Sequence, residues 1–155
     1  VAAMRLQPCS ATRTIGALVR SVRLSASPMQ PRQAAELRAA LLSHKVLVFT
    51  PECAAGSGED GGLTEAELIA HFDNFGEALP QDGREEVRGD DPRIFRVTNI
   101  HPADSPPPTS PFLTDAELEF HSDLSYRASP GIFSMLHAKI LPGGAAGSIT
   151  TFADT

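Results

Sequence analysis

Tryptophan is absent, tyrosine occurs once and cysteine twice among 155 residues. Two cysteines 44 positions apart, Cys9 and Cys53, exclude both a disulfide framework and a cysteine-rich zinc cluster, and read as free thiols of a reducing compartment. No apolar run approaches the ~20 residues that a membrane helix needs, so no membrane partner is expected. Basic residues are also short: 13 lysines and arginines face 19 acids, for a net charge of −6 and a pI near 5.3. A nucleic-acid partner would normally leave a basic face, so this balance argues against one.

The one basic region is the start, where residues 1–35 carry five arginines, no acid and several serines. That is the composition of an organelle transit peptide. What remains is ordinary for a globular chain: 41% hydrophobic and 21% charged, long enough for one domain with a sizeable core. The chain begins at Val1 and stops at Thr155 within strand-favouring residues, so the sequence is expected to be a fragment.

Periodicity organises the chain as follows. Thr14 to Val22 alternates and predicts a strand, ending at the turn-like Ser25-Ala-Ser-Pro28. Pro31 to Ser43 places Ala34, Leu37, Leu41 and Leu42 on one helical face, and Val46 to Phe49 reads as a short buried strand. Pro51 to Gly62 is a Gly-rich, flexible loop. Thr64 and Glu67 form the signature of a capping box before Leu68, Ile69, Phe72 and Phe75, so a helix runs from there until Gly76 stops it.

Beyond a charged loop over Gln81 to Pro92, Arg93 to Ile100 predicts a strand. Five prolines between Pro102 and Pro111 require a loop. Leu118 to Tyr126, Ile132 to Leu141 and Ser148 to Ala153 then read as three strands. Helices confined to the first half suit an α+β, mainly β arrangement in which helices brace an antiparallel sheet, not a doubly wound fold.

His121 and Asp123 stand two apart in Leu118-Glu-Phe-His-Ser-Asp-Leu-Ser-Tyr126. On a strand, such residues share a face with Cα atoms about 6.6 Å apart, near enough for imidazole and carboxylate to converge on one cation. A His and a carboxylate supply two corners of the facial triad that holds non-haem Fe(II) with open positions. The third must come from elsewhere. The bland alternative is a half-exposed strand whose polar residues simply face water.

Phe120-His-Ser-Asp123 resembles the W-H-T/S-D strand of the taurine and 2,4-dichlorophenoxyacetate dioxygenase family, with Phe for Trp. Leu141-Pro142 and, after a longer loop, Gly147-Ser-Ile-Thr150-Thr-Phe152-Ala-Asp154 resemble that family's L-P-x-x-G-G-D-T-L-F/W-A. Upstream, Ile15-Gly-Ala-Leu-Val19, Leu37 to Phe49 and Leu68 to Glu77 follow in the family's order. If Ile15 to Val19 is the family's first strand, a cleavable leader would be confined to the residues before Thr14. A cytoplasmic protein is therefore the favoured expectation.

The resemblance implies that residues 1–155 are the N-terminal portion of a single domain, a double-stranded β-helix of the jelly-roll or cupin-like kind with bracing helices. It implies an Fe(II)- and 2-oxoglutarate-dependent dioxygenase acting with oxygen on a small organic substrate. By the same resemblance His121 and Asp123 are iron ligands, Thr150 bonds the distal carboxylate of 2-oxoglutarate, and Asn99 lies near the substrate. Thr151 replaces Thr150 if the register slips by one. Ile149 stands where the family has Asp. The family's second histidine ligand and its 2-oxoglutarate-binding arginine fall after Thr155. His101 and His137 are the only nearby substitutes, while His44 and His71, on helices, read as surface residues. The alternatives are an inactive fragment or binding module keeping part of the fold, and a cupin-like binder, which would usually carry more histidines. Neither the substrate nor the oligomeric state can be read.

Overall fold

Gly16 is where the sheet begins. Its backbone takes φ +92°, a left-handed conformation open to glycine, and its N–H donates to the His44 carbonyl at 2.8 Å while its own carbonyl accepts from Cys9 N at 3.1 Å. One residue therefore joins the strands on either side. A computed structural model of the chain describes residues 4–9, 15–25, 29–80, 89–98, 119–140 and 149–154. They belong to two compact units, Val1–Ala78 with Met135–Thr155, and Leu79–Ser134.

In the first unit, β1 (Arg5–Pro8), β2 (Ala17–Arg20) and β3 (Leu47–Phe49) form a three-stranded sheet in that order. β1 pairs antiparallel with β2, setting Arg5 against Arg20 and Pro8 against Ala17. β2 and β3 are parallel, with Ala17 against Leu47 and Val19 against Phe49. The sheet is thus mixed: the antiparallel pairing expected from the order of elements holds for β1 and β2, and not for β2 and β3. Parallel neighbours need a crossover, and helix α1 (Pro31–His44) provides it.

The predicted strand at Thr14 to Val22 shortens to β2, whose alternation holds, with Ala17 and Val19 fully buried and Arg20 exposed. β1 has no such alternation. All four of its residues are exposed, and its Pro8 suits an edge strand. α1 opens on Pro31, which has no N–H to leave unsatisfied, and closes at Lys45, whose N–H returns to Leu41 O at 2.7 Å. It buries Leu37 and Ala40; Leu42, expected on that face, is 65% exposed because it lies some 140° round the helix from Leu37.

Helix α2 (Glu65–Phe72) carries the predicted capping box, with Thr64 Oγ1 accepting from Glu67 N at 3.2 Å and the Glu67 carboxylate accepting from Thr64 N at 2.9 Å. The helix ends before Gly76. Asn74 turns its side-chain amide back onto the carbonyls of Ala70 and His71, and Arg38 of α1 donates to the carbonyl of Asn74. These bonds take up carbonyls that a helix end leaves without intrahelical donors.

The core of this unit gathers Val19, Val22, Leu24, Met29, Leu37, Cys53 and Leu63. Cys53 is a free thiol, as read from the sequence; its Sγ lies 3.4 Å from Val19 O. Cys9 is free and exposed. The Gly-rich loop expected to be loose is bonded throughout. Gly56 N reaches Gly61 O, Gly58 N reaches Gly62 O, and Ser57 N reaches the Glu67 carboxylate at 3.1 Å. Lys139 closes it from another segment, with Nζ 3.0 Å from Asp60 and 3.2 Å from Leu63 O.

No double-stranded β-helix forms among the described residues. The four later strand predictions fail where they can be checked: residues 93–98, 119–126, 132–140 and 149–153 belong to no strand. Alternation fixes which way side chains face, but a strand also needs a run of paired N–H and C=O groups, and among the described residues these segments show at most a single bridge, at Phe95. From Ile132 to Ala138 exposure still alternates, with Ile132 and Leu136 left to solvent, as is Ile140 beyond them. At Asp91 turn chemistry wins instead: its carboxylate accepts from Arg93 N at 2.9 Å and its carbonyl from Ile94 N at 2.9 Å, around Pro92. The Pro-rich loop and most of the charged loop lie outside the described residues.

Candidate metal centre

His121 and Asp123 lie in the second unit, on an irregular segment and not on the strand expected for them. A tight turn over Asp123 to Tyr126 takes the strand's place. Leu124 adopts φ +55°, Ser125 N reaches Ser122 O at 3.4 Å and Arg127 N reaches Leu124 O at 3.0 Å. Arg127 also donates to Pro80 O at 3.2 Å, which fastens the turn within its unit. A non-glycine residue in the left-handed region carries roughly 1–2 kcal/mol of strain, and such residues collect at functional sites.

The side chains nevertheless converge. His121 Nε2 lies 3.5 Å from Asp123 Oδ1, with both side chains about half exposed. Two neighbouring ligands of one cation, each bonded at about 2.1 Å, stand about 3 Å apart at right angles and further apart at wider angles, so the pair fits a shared metal ion. The other ring nitrogen, Nδ1, is 2.8 Å from the carbonyl of Glu119. A carbonyl only accepts, so Nδ1 is the donor of this bond and Nε2 is the nitrogen turned towards the carboxylate. Metal-binding histidines are oriented in this way by a carbonyl or carboxylate on the far nitrogen.

Among the described residues no cluster of three His, Cys, Asp or Glu side chains is placed to hold a metal ion. Thr150, predicted to hold 2-oxoglutarate, is exposed, outside any strand, and belongs to the first unit. Thr151 shares those features. Asn99 and His101 lie outside the described residues. His137 is half-buried in the first unit, and burial foremost, with Lys139 nearby, pushes its pKa below the ordinary histidine value. His44 is half-buried and His71 is fully buried, which corrects their reading as surface residues. Exposure was assigned from their place on helices. Residue types could not have revealed the part played by Glu119, because it acts through its backbone.

Over residues 6–155 the chain matches the family described as taurine catabolism dioxygenase TauD, TfdA family. The chain belongs to that family, one of 2-oxoglutarate-dependent dioxygenases. Among solved structures it is similar to one from Burkholderia xenovorans assigned as an alpha-ketoglutarate-dependent taurine dioxygenase, at 32% identity and a TM-score of 0.41, covering 50% of this chain and 24% of that one. It is also similar to AAD-2 in complex with Mn(II) and N-oxalylglycine, at 20% identity and a TM-score of 0.40, covering 56% of this chain and 29% of that one. No curated protein matches it. Among the described residues no helix is long and apolar enough to cross a membrane.

Proposed function

We propose that this chain is the N-terminal part of a single dioxygenase domain and contributes part of an Fe(II)- and 2-oxoglutarate-dependent centre that hydroxylates a small organic substrate. One observation carries the reading. The Glu119 carbonyl accepts from Nδ1 of His121, which turns Nε2 to within 3.5 Å of Asp123 Oδ1. The family supplies the context in which that pair is read as a metal site.

In this reading His121 and Asp123 hold the iron, and the negative charge of Asp123 offsets part of the cation's charge. Bound iron, together with 2-oxoglutarate and oxygen, supplies the oxidising power for hydroxylation, with succinate and carbon dioxide released. The half-exposed ligands leave the remaining positions open to cosubstrate and substrate. Thr150 donates its hydroxyl to the distal carboxylate of 2-oxoglutarate, which would be costly to bury without donors. Asn99 is assigned to the substrate by the family resemblance alone. A cytoplasmic location rests on the two free cysteines.

A second reading, an inactive fragment or binding module, draws on the absence of a third ligand among the described residues. Mn(II) binding, followed by electron paramagnetic resonance, and succinate release from 2-oxoglutarate with Fe(II) separate the two. The dioxygenase reading expects His121→Ala to weaken Mn(II) binding and to lower succinate release at least tenfold in the protein carrying the whole family domain. Equal rates in wild type and His121→Ala overturn the ligand assignment. Metal binding without succinate release favours the binding module.

A further inference from the structure

Helix α2 carries a side chain whose chemistry does not suit its surroundings. His71 is 1% exposed and ranks among the largest fully buried side chains. Neither ring nitrogen has a hydrogen-bond partner among the described residues. The imidazole instead meets two phenyl rings nearly edge-on: Phe49 of β3 at 5.7 Å and 82°, and Phe75 at 5.6 Å and 70°. A neutral imidazole has one donor and one acceptor to satisfy, and buried polar groups left without partners are rare enough to need a reason.

Among the described residues the charged groups named for the elements around it, Glu65 at the far end of α2 aside, offer no counterion. On α2, Glu67 lies one turn before His71, but its carboxylate is taken up by Thr64 and Ser57, and Asp73 is exposed. From α1, Arg38 brings positive charge to the Asn74 carbonyl. β3 presents only Leu47, Val48 and Phe49, and the turn from Asn74 to Gly76 holds no ionisable side chain. A proton on His71 would therefore be buried without compensation.

We propose that His71 is an acid-sensitive latch on α2: protonating its ring drives it from between Phe49 and Phe75 into water and frees the helix from β3. Burial alone pushes its pKa down to about 4 from the ordinary value of 6.5. Because the unfolded chain takes up this proton first, the folded state is fully favoured above pH 6.5, loses ground as pH falls towards 4, and loses no more below that. Within the window each pH unit weakens the folding equilibrium by up to about tenfold, which comes to roughly 30-fold between pH 7.5 and pH 5. Carboxylates elsewhere are common to wild type and variant, so a comparison with His71→Leu isolates this term.

The experiment is a denaturant series on the protein carrying the whole family domain at pH 7.5, 6.5 and 5, for wild type and His71→Leu. It is joined by NMR titration of the His71 ring and hydrogen exchange of the α2 amides. Support comes from a roughly 30-fold greater acid weakening in wild type, a ring midpoint near 4, and loss of α2 protection at pH 5 only in wild type. Parallel pH profiles overturn the proposal. Should His71→Leu not fold, the wild-type ring decides: a midpoint near 6.5 overturns the latch, and one near 4 with early loss of α2 protection supports it.

Discussion

Adding one methyl group at Gly56 tests whether the loop over α2 is part of the fold. A Cβ there would sit 2.6 Å from Glu67 Oε2, 2.7 Å from Gly62 O and 2.8 Å from Leu63 Cα. Two of those neighbours are backbone, so rotating one side chain cannot relieve the clash. Overpacking of this kind typically costs 1–3 kcal/mol, and displacing the carboxylate also disturbs the capping box at Thr64, where loss of a cap costs about 1 kcal/mol. Gly56→Ala should therefore destabilise the chain by about 2–4 kcal/mol. For a domain of this size that lowers Tm by roughly 5–15 °C. Gly61→Ala is the control: its φ of +76° strains any side chain, but its Cβ would meet nothing within 4 Å, so the penalty should be about 1 kcal/mol. Thermal melts followed by circular dichroism read both. If Gly56→Ala melts with wild type, or no lower than Gly61→Ala, the packing of the loop on Glu67 is refuted.

Leu37, 0% exposed at the centre of the core cluster, should be among the least replaceable side chains: Leu37→Ala is expected to cost about 3–5 kcal/mol, read as a fall in urea midpoint, and a loss below 1 kcal/mol would contradict the core assignment. Asp91 should titrate near about 2, because the side chain and backbone N–H of Arg93 both donate to its carboxylate. A carboxyl with a lowered pKa contributes stability above its unfolded value, and that contribution is lost as pH falls towards 2. Arg93→Gln should move its NMR titration back towards the ordinary carboxylate range; an unmoved midpoint would show that the pair has no such effect.

The elements that were legible in the sequence are those whose signals are local. The Thr64/Glu67 capping box, Pro31 at the start of α1 and the alternation of Ala17 and Val19 each depend on neighbours within a few positions. β1 was illegible because an exposed edge strand needs no apolar face, and Arg5-Leu-Gln-Pro8 offers none. The parallel β2–β3 pairing is a long-range outcome: the spacing of elements allowed a helical crossover but did not reveal which strands it joined. His71 was misread for a related reason. Its position on the helix gave its angle, but the aromatic pocket of Phe49 and Phe75 comes from residues that meet it only after folding.

The candidate metal pair shows what a spacing motif does and does not encode. The i, i+2 argument rested on an extended strand, and the segment is instead a turn with Leu124 in the left-handed region. Even so, the imidazole and carboxylate meet at 3.5 Å, although residues two apart need not face one another once the chain leaves the strand. The motif thus picked out a pair that meets without giving the element on which it sits. What orients the imidazole is the bond between Nδ1 and a backbone carbonyl that any residue at 119 could provide. The chemistry of the pair thus depends on backbone conformation at Glu119 and Leu124 as much as on the two side chains, and sequence motifs record only the side chains.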